Sequence, residues 1–257
     1  MVSENHSLET LKQRALSERA EVPGLESFPD SQVQIPRLII AQPSNIGNLP
    51  EGKFVDSLTN LTYDSIDVVL MKMTRSRALW RPGKPQQGDQ PLCKSQNAVI
   101  PDSGYYSTRC ERCMNDDTNT HEECVDAHDR AVCEHAKFKK DQRPDCRLAY
   151  HLLVVLVETA DPYILTITGK SLSPTNKILS AFKVRGRAPY SARFKISLDK
   201  AADGNYYTVK YSDIHWFETA DELKNLFARF KDVQLTPQQS DVESERKDNA
   251  EAEPEDE

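Results

Sequence analysis

The stretch from Leu152 to Val157 reads Leu-Leu-Val-Val-Leu-Val and offers no polar residue on either face that a strand would present. Successive side chains of a strand point to opposite sides, so a run that is apolar on both predicts a central strand covered above and below. It belongs to AYHLLVVLVE, 149–158, and the turn Thr159-Ala160-Asp161-Pro162 leads into a second strand, YILTIT, 163–168. A sheet with layers packed on it is therefore the frame for the rest of the chain.

Two further strands precede this pair, IPRLIIAQ at 35–42 and SIDVVLMKMT at 65–74, with a Pro/Gly/Asn-rich loop through Gly52 that reads as irregular. RFKISLD, 193–199, and NYYTVKYS, 205–212, alternate and are joined by a turn over Ala201 to Gly204, which predicts a hairpin. Ser173-Pro174 reads as an N-cap with proline at the first helical position, opening a helix through about Phe182 with Ile178 and Leu179 inward. Over 220–233, Leu223, Leu226, Phe227, Phe230 and Val233 recur at helical spacing and predict a closing helix docked by one face. The sum is a mainly β, α+β chain of five or six strands. A partly open barrel of the oligonucleotide-binding (OB) type fits that inventory, a generic α+β sheet being the alternative, and strand order is not legible.

A chain of 257 residues with 38% hydrophobic side chains can bury one main core. Residues 1–30 are largely polar, with one amphipathic stretch, Leu8, Leu11 and Ala15, that reads as a short helix, and are expected to form a mobile arm; the OB-like domain is expected over 31–235. No apolar run reaches the length that spans a bilayer, and MVSENHSLETLKQR lacks a secretory apolar region, so a cytoplasmic protein with no membrane association is expected.

From about Gln86 to Arg147 aliphatic residues thin out and Asp, Asn, Cys and His take over, so this insertion needs something other than a hydrophobic core to order it. The chain has six cysteines, and in a reducing compartment these point to metal rather than disulfides. Cys110-Glu111-Arg112-Cys113 supplies two thiolates from one tight turn, as zinc knuckles do. Cys93 and Cys146 flank the insertion at its base, and a structural Zn²⁺ on Cys93, Cys110, Cys113 and Cys146 would close it, with metal binding acting as folding energy. A rival set is drawn from His121, Cys124, His128, Cys133 and His135, with a second metal conceivable. A catalytic zinc would need an open position and a base; His-Glu-x-x-His does not occur and His121-Glu122-Glu123-Cys124 is only a weak echo of such a motif, so no enzymatic activity is expected.

Charge is unevenly distributed. Residues 241–257 hold nine acids against Arg246 and Lys247, which accounts for the whole net charge of −7 and leaves 31 basic and 31 acidic residues in the body. Within that body, Lys72, Arg75, Arg77, Trp80, Arg81 and Lys84 form one cluster of cations with an aromatic, and Lys183, Arg185, Arg187, Tyr190, Arg193 and Lys195 form another. Cations along a groove neutralise phosphates and aromatic faces stack bases, which is what single-stranded nucleic acid requires. Tyr105, Tyr106, Tyr206 and Tyr207 are weaker candidates. The tail 236–257 is expected to be disordered and to compete for the basic groove until DNA displaces it.

The order of IPRLII, a basic segment with Trp80, Cys93, Cys110-x-x-Cys113, Cys146, HLLVVLV and PYILTITGKSLSP resembles single-stranded DNA-binding proteins of phages and mobile elements, including the helix-destabilising proteins of large tailed phages. The resemblance implies an OB fold, coating of single-stranded DNA with self-association along it, and tail contacts with replication or recombination proteins through 241–257. A zinc-dependent nucleic-acid-processing enzyme and a zinc-containing adaptor of replication or transcription are the alternative readings.

Overall fold

The computed structural model describes residues 35–43, 49–80, 91–98, 102, 136, 144–202, 204–218, 221–230 and 235. The expected N-terminal arm, the tail, Arg81, Lys84, Cys110, Cys113 and the His/Cys segment 121–135 lie outside them. Among the described residues nine strands and two α-helices form, so the chain is mainly β with an α+β character. The strands are β1 (Arg37–Ile40), β2 (Phe54–Asp56), β3 (Thr62–Tyr63), β4 (Ser65–Leu79), β5 (Cys93–Ser95), β6 (Cys146–Leu156), β7 (Pro162–Thr168), β8 (Ala192–Lys200) and β9 (Tyr207–Trp216). The helices are α1 (Leu172–Val184) and α2 (Asp221–Phe230). None is long and apolar enough to cross a membrane, among the described residues.

The chain divides into two compact units, one built from residues up to Met73 with Leu152–Leu235, the other from Thr74–His151. In the first unit the strands run in the order β3-β2-β1-β7-β6-β4-β8-β9. β1 lies parallel to β7 and antiparallel to β2, while β8 is antiparallel to both β4 and β9. The apolar run expected at the centre does occupy it: Leu152, Leu153, Val154 and Val155 are each no more than 1% exposed. Both faces are indeed covered. Val69, Met71, Leu153, Val155, Val157 and Ile164 form one cluster that receives Leu223 of α2, with Phe227 and Phe230 packed against it. On the side of α1, the Phe182 ring meets that of Phe194 at 6.2 Å, and Thr175 shares a 2.8 Å hydrogen bond with Tyr211.

Helix α1 begins one residue before Ser173, after a 3₁₀ turn over Gly169–Ser171, so Pro174 sits within the first turn rather than opening it. Ser171 occupies the cap position without a side-chain cap bond, its hydroxyl instead accepting from the Val209 amide at 3.2 Å. Ile178 is buried as expected, together with Thr175 and Phe182, and Leu179 is half-buried.

The hairpin β8–β9 pairs Lys200 with Tyr207 at its tip and Ala192 with Trp216 at its base. The pairing slips between Arg193 and Lys195, where β9 carries the extra residue, and Asp213 nearby takes a φ of 51°. Such a bulge breaks the alternation that marks a strand, and β9 accordingly runs past the predicted end at Ser212. The described residues of the loop through Gly52 form no strand or helix, as expected, and the short β2 that follows it pairs with β1.

In the second unit β4 continues beyond the predicted Thr74 to Leu79, and β5 pairs with it, Arg77 opposite Ser95 and Leu79 opposite Cys93. Ser76 and His151, 5% and 1% exposed, are joined there by a buried 2.7 Å hydrogen bond.

Candidate nucleic-acid interface

At the base of the β8–β9 hairpin the sequence leaves no acid from Gly169 to Leu198. Helix α1 ends in this stretch, so Lys183, Arg185 and Arg187 project from its exposed C-terminal turn and the residues after it. The side chain they gather around is Trp216, the last residue of β9. Arg185 lies over the indole at 5.1 Å from the ring centre and Arg187 at 5.6 Å. Phe182 meets the same indole at 5.1 Å with its ring steeply inclined, fixing the tryptophan from below. Arg187 also donates to the Phe217 carbonyl at 3.1 Å, which ties the loop to the strand end. His215, exposed, stands opposite Arg193 in the ladder. The arrangement is a half-buried aromatic ring with two guanidiniums at it, which suits a base with its flanking phosphates.

Trp216 was not among the residues the sequence pointed to. Tyr190 was, and its ring instead packs 4.9 Å from Phe227 inside the α2 cluster, so it serves the core. Lys195 stands opposite Ser212 on the hairpin.

The other predicted cluster is only partly described. Arg75 is exposed and Trp80 half-buried just after β4. Arg77 points its guanidinium to the Cys146 carbonyl at 2.9 Å and so braces the second unit, and Lys72 is half-buried on β4.

At the tip of the hairpin, Lys170 lies 4.3 Å over the Tyr206 ring and Lys200 5.8 Å over that of Tyr207. The backbone of Tyr207 is held on both sides by Gln42, whose side chain donates to its carbonyl at 3.0 Å and accepts from its amide at 2.7 Å.

Of the four expected zinc ligands, Cys93 and Cys146 are described, and both are buried in one cluster with Leu79, Leu92 and Ala136. Among the described residues no three His, Cys, Asp or Glu side chains converge. Comparison with protein-family models, with curated proteins and with solved structures gives no match.

Proposed function

We propose that this chain is a non-enzymatic single-stranded DNA-binding protein with a core of OB type. Trp216 with Arg185 and Arg187 carries the reading, because a half-buried aromatic ring at the end of a strand, with two permanent cations gathered at it, has an evident use on a single strand beyond its packing on Phe182. The connectivity supports the fold: apart from the short β5, which pairs with β4 off the main path, β4, β6 and β7 follow one another, and β8 returns after α1 to lie beside β4, giving the spatial order β8-β4-β6-β7. That is the order of a Greek key, the arrangement underlying OB barrels. On this correspondence the OB loops that flank an oligonucleotide are the segment after Trp80 and the loop at Tyr206. Structural zinc on Cys93, Cys110, Cys113 and Cys146 would hold the insertion, and residues 241–257 would contact replication or recombination proteins in the cytoplasm.

Competition between unlabelled oligo-dT and duplex of equal length for a labelled oligo-dT tests the reading. Oligo-dT should displace the label at far lower concentration; equal displacement would overturn it.

A further inference from the structure

The hairpin carries cation-over-aromatic pairs at both of its ends, and α1 runs between them. At one end lie Arg185, Arg187 and Trp216; at the other, Lys170 over Tyr206 beside Lys200 over Tyr207. Each end is anchored to the same two elements. Lys170 and Arg185 bracket α1, and Tyr207 and Trp216 are the first and last residues of β9. The helix and strand are pinned together midway by the Thr175–Tyr211 hydrogen bond. With a rise of about 1.5 Å per helical residue and about 3.3 Å per strand residue, the two stations stand roughly 20–30 Å apart.

Charge on the α1 side of the seam matches an anionic strand: Lys177 and Lys183 are exposed there and no acid occurs between Gly169 and Leu198, whereas the β9 side carries exposed Asp213, with exposed Glu218 two residues past Trp216. Beside the tip, Asp199 is engaged by Lys210 at 3.5 Å.

We infer that the α1–β9 seam is a binding track for one single strand of nucleic acid, with Trp216 and Tyr206 as its two terminal base platforms. This rests on the proposed function and adds a length requirement to it. An oligonucleotide too short to reach both stations engages only one, whereas a longer one gains both, within the span of about 4–16 nucleotides that single OB folds cover. Tyr207 has a different role, holding the tip in place through Gln42.

The test measures affinity for oligo-dT of about 4 and about 16 nucleotides with the full chain and with a Lys170→Ala/Tyr206→Ala double variant. The full chain should bind the longer strand at least about tenfold more tightly, allowing for the number of registers, and the double variant should lose most of that advantage while losing much less affinity for the short strand, which the Trp216 station still holds. Trp216→Ala should weaken both lengths. If the full chain prefers long strands and the double variant retains the whole preference, the track is wrong while single-strand binding stands. If the full chain binds neither length, the underlying reading falls and the track with it. Thermal unfolding of the double variant at the wild-type midpoint verifies that a loss reflects contact rather than misfolding.

Discussion

Arg185 places its guanidinium 5.1 Å from the centre of the Trp216 ring, although one ends a helix and the other a strand. Sequence distance hides the pair, and the return of β9 alongside α1 creates it. If that plate stacks a base, Trp216→Ala should weaken oligo-dT binding by about 1–3 kcal/mol, and Trp216→Phe, which keeps a ring over Phe182, should recover part of it. Anisotropy titrations of the two variants measure this. Equal losses in both would assign Trp216 to packing alone.

Asp56 gives a pH signature. Burial alone would raise its carboxyl, but hydrogen bonds from the Thr59 hydroxyl, the Leu58 and Thr59 amides and the Tyr163 hydroxyl outweigh it and hold the group below the usual carboxylate value. A depressed folded-state pKa contributes stability above the unfolded carboxylate value of about 3.9, and that contribution disappears as pH falls through the folded value. In urea unfolding the gap between wild type and Asp56→Asn should be largest near neutrality, about 1–3 kcal/mol, and should narrow below about pH 4. A gap that stays constant down to acid pH contradicts the assignment.

Gly52 is required by geometry. Its φ is +71°, and a Cβ there would lie 2.6 Å from Cε1 of Tyr207. Gly52→Ala meets both the left-handed backbone penalty, about 1 kcal/mol, and a clash with a ring that cannot withdraw freely because Gln42 holds its backbone. Differential scanning calorimetry should show a lower Tm. Pairing the change with Tyr207→Ala should restore only part of it, since the backbone penalty persists; full restoration would locate the whole cost in the clash.

The zinc proposal predicts about one metal equivalent in purified protein, lost with a drop in Tm in Cys146→Ser and in Cys110→Ser. Because Cys146 is buried with Cys93, its variant alone perturbs packing, so Cys110→Ser is the decisive arm. Metal-free protein with unchanged Tm would refute the site.

Much of the fold was legible because it is written in short-range patterns. The central strand announced itself by being apolar on both faces, the β8–β9 hairpin by alternation around Gly204, and α2 by the spacing of Leu223, Phe227 and Phe230. What escaped has local reasons. β2 and β3 are three and two residues long and too short to display a period, and Asp56 disguises β2 by being a buried acid held by its own turn. The sequence pattern ends β4 at Thr74 because Arg75 and Arg77 look like loop residues, yet Ser76, Ala78 and Leu79 bury between and beyond them. The end of β9 was lost at the bulge. The site was half legible: the cations Lys183, Arg185 and Arg187 stood out as a basic run, but their aromatic partner is supplied by a different element. Tyr190, the aromatic nearest in sequence, faces the core, which composition could not reveal.

The most direct test of single-strand binding is fluorescence anisotropy of a labelled oligo-dT titrated with the full chain as salt rises, with an equal-length duplex in parallel. Tight binding of the oligo-dT at low salt, several-fold or more above the duplex, and a linear fall of log affinity with log salt are predicted, since phosphate contacts release counterions. Equal affinity for single strand and duplex, or no binding of either at low salt, would contradict it.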